Sequence, residues 1–177
     1  MKIGLLGGSF NPAHFGHIHI SLATKKQLGL KQIWLIPAKQ NPFKIGNPSS
    51  IENRIKDCVL ITKEYPQILV KDFEAKMMAK DRTIYSIDLL KRIIVKYPNH
   101  HFLWLMGADS ILHFHKWKQW KKIIKAVPLV VINRDNFFYK AVKSKAFLYA
   151  KKQQRIQFLT IKKSAESSTK IRNNHGK

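Results

Sequence analysis

A group of glycines and histidines near the amino terminus, in the segment from Gly7 to His17, has a composition suited to binding an anion. It follows a short apolar run at residues 2–6 and precedes a stretch with helical spacing. Glycines at the end of a strand let backbone N–H groups approach a phosphate closely. His14 and His17 lie three residues apart at the helix start, where imidazoles can donate hydrogen bonds to phosphate oxygens and the helix dipole attracts anions. The segment therefore predicts a phosphate-binding turn.

Three other interpretations of this segment are weaker. The spacing of Gly4, Gly7 and Gly8 differs from the dinucleotide fingerprint, and no Gly-Lys-Ser/Thr follows as in a Walker loop. The three histidines His14, His17 and His19 could form half of a metal site, but no cysteine cluster or matching His/carboxylate motif accompanies them. We therefore expect no metal held by protein side chains.

The strands and helices predicted on either side of this turn alternate along the chain. Strands are predicted at residues 2–6, 32–36, 68–73, 101–106, 129–132 and 156–161. Helices are predicted at residues 16–28, from Asp81 or Thr83 to Ile94, at 117–125, at 138–152, and after Ser167-Ser168-Thr169. A further helix is predicted to start at the capping box of Ser49 and Glu52, with Ile51, Ile55, Val59 and Leu60 on its apolar face. This alternation indicates an α/β fold with a mostly parallel sheet and helices on both faces, forming a single domain over residues 1–177. Ligands of such sheets bind outside the carboxyl ends of the strands.

Composition narrows the class of protein. The 177 residues, 45% of them hydrophobic, suffice for one folded domain with a core. No apolar run has the length of a membrane span, and the amino-terminal run is too short for a signal peptide, so we expect a cytoplasmic protein without a membrane partner. The single cysteine, Cys58, is expected to fill the core. The sequence leaves homo-oligomerisation open.

The charge of +23 comes from 33 basic and 10 acidic residues. Such a charge attracts polyanions, and a basic RNA-binding protein is one alternative. However, 27 of the basic residues are lysines scattered through every segment, whereas phosphate and base recognition favours arginine. The densest run, Lys116 to Lys125, predicts an amphipathic helix with a solvated basic face. We therefore do not expect nucleic acid to be the main partner.

The segment Gly8 to His17 resembles the motif of the HxGH nucleotidyltransferases. Near the carboxyl terminus, Ser167-Ser168-Thr169 followed by Arg172 resembles the second motif of that superfamily, a helix start that cradles anions. Within the superfamily, the chain is most similar to the bacterial nicotinate-nucleotide adenylyltransferases over nearly its whole length. The resemblance implies a Rossmann-like, doubly wound fold in which both histidines bind the phosphates of ATP.

The resemblance also implies residue roles. For ATP it implies Gly7, Gly8, Ser9, Phe10, His14, His17, Gly107, Asp109, Ser168, Thr169 and Arg172. For the acceptor it implies Lys44, Thr83, Tyr85, Ser86, Trp117 and Arg134, with Trp117 stacking on a pyridine ring. The groups expected to act in catalysis are His14, His17, Lys44 and Arg172. The chain departs from the family pattern at Asn11, at residues 41–44 and at Ser86, and it ends soon after Arg172.

The reaction implied by this resemblance is ATP + nicotinate mononucleotide → deamido-NAD + pyrophosphate. The acceptor phosphate is already ionised near neutral pH, so it attacks without a general base. Mg²⁺ would bridge phosphate oxygens, held by substrate and water. The alternatives within the superfamily are a pantetheine-phosphate adenylyltransferase, which usually has threonine where this chain has His14, and a cytidylyltransferase.

Overall fold

The computed structural model describes residues 1–39, 49–77, 84–133 and 137–162. Within these ranges strands and helices alternate. The strands are β1 (Lys2–Gly8), β2 (Gln32–Pro37), β3 (Ile68–Val70), β4 (His101–Gly107), β5 (Leu129–Asn133) and β6 (Ile156–Thr160). The helices are α1 (Phe15–Leu28), α2 (Ile51–Thr62), α3 (Phe73–Lys76), α4 (Ser86–Lys96), α5 (Ala108–Phe114), α6 (Trp120–Ala126), α7 (Phe138–Val142) and α8 (Lys145–Lys152).

The six strands form one sheet in the order β3-β2-β1-β4-β5-β6. This is the strand order of a Rossmann-like, doubly wound sheet, in which the order reverses next to the first strand. The pairs β2–β3, β4–β5 and β5–β6 are parallel, with Ile33 beside Ile68 and Val131 beside Phe158. The predicted α/β fold class is confirmed.

Contacts divide the chain into two compact units. One comprises Met1–Leu5 together with the described residues from Tyr85 onward, and its core includes Leu105, Ile111 and Val131. The other contains Leu6–Ile84 within the described ranges, and its core includes Ile18, Ile33, Leu35 and Cys58. The single domain expected over residues 1–177 stays a prediction.

Helix α1 ends where its local sequence predicts, and it begins at Phe15, one residue before the predicted start. Gly29 follows its last residue with a φ of 60°, the left-handed conformation that glycine adopts at low cost. Its N–H donates to the carbonyl of Lys25. Gly29 is therefore the predicted carboxyl-terminal stop, and this prediction is confirmed.

Helix α2 differs from its prediction by one residue and by its buried face. Its N-cap is Ser50, whose Oγ accepts the N–H of Asn53 at 3.2 Å, so the predicted capping box at Ser49 and Glu52 is wrong. Val59 and Leu60, predicted to be buried, are 53% and 72% exposed. The buried side of the helix consists instead of Ile51, Arg54, Cys58 and Thr62. Cys58 is fully buried, as predicted, and burial raises the pKa of its thiol to about 12, so it stays protonated at neutral pH.

Three other boundaries differ from the predictions by three residues or more, and one predicted helix is interrupted. Strand β3 ends at Val70, and the residues from Phe73 begin helix α3. Helix α4 begins at Ser86, later than predicted, and α6 begins at Trp120. The helix predicted at residues 138–152 is two helices, because Ser144 caps α8 by accepting the N–H of Phe147. Helix α5 was not predicted. None of the helices in the described ranges is long and apolar enough to cross a membrane.

Candidate functional site

The turn between β1 and α1 is the core of the candidate site. It passes from Gly8 through Phe10, a buried side chain whose φ of 45° is unusual for a residue other than glycine. A Cβ added at Gly8 would meet the ring of Phe10 at 3.3 Å. The turn therefore has no room for a side chain at Gly8 unless the buried ring moves.

His14 and His17 form a reciprocal cap at the start of α1. His14 is the N-cap, in an extended conformation, and its Nδ1 accepts the N–H of Gly16 at 3.1 Å. The Nδ1 of His17 accepts the N–H of His14 at 3.2 Å. Each imidazole thus satisfies a backbone donor, as serine and glutamate do in an ordinary capping box.

This cap decides which ring nitrogen carries a proton. A neutral imidazole has one donor nitrogen and one acceptor nitrogen. Because Nδ1 of both His14 and His17 accepts an N–H, the proton of each neutral ring is on Nε2. The local sequence therefore gives both histidines an N–H donor at the far side of the ring.

The two rings are packed together. Their centroids are 3.9 Å apart with the planes at 44°, and Phe10 contacts the edge of His17 with centroids 4.8 Å apart. His14 is buried and His17 is half-buried. His19, two residues on, is exposed and so is an ordinary surface residue of the helix. The structure thus brings together the predicted residues Gly8, Phe10, His14 and His17, next to Gly7 and Ser9 of the same turn.

A residue that the sequence did not single out lies in the same unit. Arg54 of α2 is 2% exposed, and its guanidinium donates to the backbone carbonyl of Ser9 at 2.7 Å. Its signal in the sequence is weak, since an arginine in an amphipathic helix is usually solvated. The spacing of Arg54 with Ile51 and Cys58 could have indicated that it lies on the buried face.

The end of β4 carries two of the predicted ATP residues. Gly107 is the N-cap of α5, with an extended backbone and no side-chain capping bond. Asp109 lies in the first turn of that helix and is exposed.

The predicted acceptor residues Tyr85, Ser86 and Trp117 lie in the unit that contains β4. Tyr85 is the N-cap of α4 and Ser86 is its first residue. The Nζ of Lys118 lies 4.0 Å from the centroid of the exposed Tyr85 ring. Trp117 is half-buried against Phe114, with ring centroids 5.0 Å apart. Lys118 was not predicted, and its only sequence signal is its position next to Trp117.

Several predicted residues lie outside the described residues: Lys44, Thr83, Arg134, Ser168, Thr169 and Arg172. Their roles stay predictions.

The described residues contain no group of three or more histidine, cysteine or acidic side chains that could hold a metal ion. Nδ1 of both site histidines is occupied by a backbone N–H, and the Nε2–H groups suit anionic oxygens rather than a cation. The chemistry of these side chains therefore fits a phosphate ligand.

Two known proteins with similar sequences carry the name of one enzyme family. The family model for cytidylyltransferase-like proteins matches residues 5–174. A probable nicotinate-nucleotide adenylyltransferase of Pelagibacter ubique is 40% identical over 97% of this chain and 92% of its own. Its counterpart from Ruegeria sp. is 41% identical over 76% of this chain and 68% of its own.

A solved structure with a similar fold is the Plasmodium falciparum nicotinic acid mononucleotide adenylyltransferase in complex with NaAD. It superposes with a TM-score of 0.76 at 21% identity, covering 97% of this chain and 82% of that one. This similarity bears out the Rossmann-like fold. The family match and the relatives show that the chain belongs to the cytidylyltransferase-like family and, within it, to the nicotinate-nucleotide adenylyltransferases.

Proposed function

We propose that the chain transfers the adenylyl group of ATP to nicotinate mononucleotide, giving deamido-NAD and pyrophosphate in NAD biosynthesis. The observation that carries this proposal is the reciprocal cap of His14 and His17, which puts a proton on Nε2 of both rings beside the glycine-rich end of β1. Such donors suit a triphosphate. Family membership supports the same reaction.

In this reaction an oxygen of the acceptor phosphate forms a bond to the α-phosphorus of ATP. The bond from that phosphorus to the bridging oxygen breaks, and pyrophosphate leaves with the electron pair. Since the attacking oxygen is already ionised, the protein needs to orient the reactants and to stabilise charge on the phosphates. We assign that role to the Nε2–H groups of His14 and His17, with Lys44 and Arg172 as further cationic groups.

ATP binding extends, in this proposal, to Gly107 and Asp109 at the end of β4 and to Ser168 and Thr169. Mg²⁺ enters as part of the ATP substrate, coordinated by phosphate oxygens and water. Binding of Mg²⁺ by the substrate is consistent with histidine side chains that donate N–H groups to phosphate oxygens. The place of action that we infer is the cytoplasm.

The acceptor assignment depends on Tyr85, Ser86 and Trp117, together with Lys44, Thr83 and Arg134. Helix α4 begins at Ser86 and the N-cap Tyr85 makes no side-chain capping bond, so the first turn of the helix has backbone donors that suit a carboxylate. The ammonium of Lys118 adds positive charge beside Tyr85. These features favour the anionic carboxylate of nicotinate over the neutral carboxamide of nicotinamide.

The experiment that tests the proposal is pyrophosphate release from ATP by the purified protein, with and without nicotinate mononucleotide, and mass analysis of the product. We expect release that depends on the acceptor and a product with the mass of deamido-NAD. Release that is independent of any acceptor, or the absence of release at millimolar substrates with Mg²⁺ present, would contradict the proposal.

A further inference from the structure

We propose that Arg54 is a positioning residue of this enzyme, which holds the β1–α1 turn at Ser9 to the chain that follows β2. Its side chain is 2% exposed although it carries a charge. A buried guanidinium is costly unless its N–H groups are bonded, so the partners of Arg54 indicate what it is for.

Within the described residues, the hydrogen bonds of the Arg54 guanidinium go to backbone carbonyls from three separate places in the unit. Nη1 donates to Ser9 at 2.7 Å and to Ala38 at 2.6 Å. Nη2 donates to Lys39 at 3.0 Å, and Nε donates to Ser49 at 3.0 Å. We call these four residues and Arg54 the Arg54 cluster. A planar fork of five donors can serve four carbonyls at once, which a lysine ammonium with three donors cannot do.

Two further hydrogen bonds hold the residues that follow β2 in place. The N–H of Ala38 donates to the carbonyl of Gly8 at 2.8 Å, so the residue after β2 is bonded directly to the end of β1. The N–H of Lys39 donates to Oε2 of Glu74 at 2.8 Å. Glu74 is also buried, and burial raises the pKa of its carboxyl, against the opposite effects of the Lys39 bond and the Arg54 charge. The backbone of Lys39 is thus bonded through its carbonyl to the buried Arg54 and through its N–H to the buried Glu74.

The consequence for the site follows from the position of Ser9. It precedes Phe10, whose ring fits closely over Gly8 and contacts His17. A shift of the Ser9 peptide would therefore move Phe10 and, through it, the Nε2–H of His17. The Oγ of Ser49 also donates to Oδ1 of Asn11 at 3.0 Å. This bond links the same two segments as Arg54, since Asn11 lies in the turn of Ser9 and Ser49 is a partner of Arg54. A displacement of about 1 Å in a reacting geometry can lower a rate by about 100-fold.

The inference rests on the proposed function, and its test compares Arg54→Lys with Arg155→Lys. Arg155 is a matched control, because it also donates from its guanidinium to two backbone carbonyls, those of Ile124 and Lys125. Those carbonyls belong to the carboxyl-terminal end of α6, whereas Arg155 itself precedes the amino end of β6. Substrates of parallel sheets bind at the opposite, carboxyl ends of the strands.

Steady-state kinetics are measured for both variants at a temperature at which each is fully folded by circular dichroism. We expect Arg54→Lys to lower kcat by about 10- to 100-fold and Arg155→Lys to stay within about threefold of the wild type. Hydrogen exchange should be faster at the amides of residues 8–11 in Arg54→Lys and unchanged there in Arg155→Lys. A kcat for folded Arg54→Lys equal to that of Arg155→Lys, with unchanged exchange, would overturn the inference.

A second variant decides the question if Arg54→Lys does not fold. Glu74→Ala removes the acceptor of the Lys39 N–H and leaves Arg54 in place, so we expect a kcat several-fold below that of the wild type and faster exchange at Lys39. Wild-type kinetics with unchanged exchange would overturn the inference. Activity of the wild-type protein in the same assay tests the proposed function separately, and hydrogen exchange reports on the Arg54 cluster even if the substrate is a different one.

Discussion

At the scale of the residue, each of the two histidines combines an observed cap of helix α1 with the phosphate-binding role that we propose. Nδ1 of His14 and of His17 caps helix α1, and this fixes the proton on Nε2. The sequence predicted the phosphate role from spacing alone. It could not predict the tautomer, because the tautomer depends on which backbone N–H each Nδ1 accepts in the folded turn.

These two roles of His17 can be separated by substitution. Asparagine places an oxygen near the position of Nδ1 and lacks a donor at the position of Nε2, whereas glutamine does the reverse. We expect His17→Asn to keep the melting temperature of the wild type and to lose about two to four orders of magnitude in kcat, since a donor to developing charge is lost. His17→Gln should lose stability and keep more of the activity. Thermal unfolding and steady-state kinetics measure both.

The control for this pair is His19→Ala, which changes an exposed histidine of the same helix. We expect it to behave as the wild type in both measurements. A folded His17→Asn protein with near-normal turnover would contradict the assignment of the Nε2–H to phosphate stabilisation.

A second prediction concerns Lys118, whose ammonium lies over the Tyr85 ring. If the nicotinate carboxylate binds beside Tyr85, Lys118→Met should lower kcat/KM for nicotinate mononucleotide by about two- to fivefold, the size expected of an exposed charge interaction. The value for nicotinamide mononucleotide should not change, because its amide is neutral. The matched control is Lys121→Met, which removes a lysine placed over the rings of Trp120 and Tyr149. Equal losses on both acceptors would argue against this role.

At the scale of the element, the sequence predicted what is decided locally. Two glycines end β1 and Gly29 ends α1, since a close approach or a left-handed φ leaves little choice of residue. The N-cap of α2 was missed because Ser49 and Ser50 are adjacent and equally suited. The choice between them is made by tertiary contacts, in which Ser49 bonds Asn11 and Arg54.

The hydrogen bond from Arg54 to Ser9 shows the same limit more clearly. The partner carbonyl at Ser9 lies 45 residues away in sequence, and no local pattern reports such a contact. The break between α7 and α8 was missed because Ser144 fits a helix interior almost as well as a cap. The turn that carries His14 and His17 was therefore predictable from the sequence, whereas the contacts that support it were not.

The fit of the β1–α1 turn gives a third prediction. In Gly8→Ala the new Cβ would press on the buried Phe10 ring, which in turn contacts His17. We expect kcat/KM for ATP to fall by about tenfold or more, because the ring cannot move without the histidine.

The matched control is Gly29→Ala, at the other end of α1, where a Cβ meets nothing within 4 Å but the φ is 60°. That variant should lose about 1–2 kcal/mol of stability from its left-handed backbone and keep its kinetic constants. The outcome that contradicts this account is unchanged kinetics in Gly8→Ala together with altered kinetics in Gly29→Ala.

At the scale of the whole molecule, the charge of +23 does not require a nucleic-acid partner. Lys121, Lys122 and Lys125 of α6 are exposed, as predicted for a solvated basic face, and Ile123 and Ile124 are buried beneath them. The positive field would still attract phosphate-bearing substrates from solution.

A fourth prediction joins the two ends of the sequence. The resemblance places Arg172 with Ser168 and Thr169 at the triphosphate of ATP, so Arg172→Ala should weaken ATP binding more than binding of the acceptor. Calorimetric titration of each substrate separately measures both affinities. Unchanged ATP affinity with a lost acceptor affinity would mean that Arg172 belongs to the acceptor.

The choice of nicotinate mononucleotide as the acceptor can be tested by comparing catalytic efficiencies. We would measure kcat/KM at a fixed, saturating ATP concentration for nicotinate mononucleotide, nicotinamide mononucleotide and phosphopantetheine, in the wild type and in Trp117→Ala. We predict the highest kcat/KM for nicotinate mononucleotide, because its anionic carboxylate suits the start of α4. We also predict that Trp117→Ala lowers this kcat/KM, because the pyridine ring loses its stacking partner. Phosphopantetheine has no such ring. A highest kcat/KM for phosphopantetheine, or an unchanged efficiency on nicotinate mononucleotide in Trp117→Ala, would contradict the assignment.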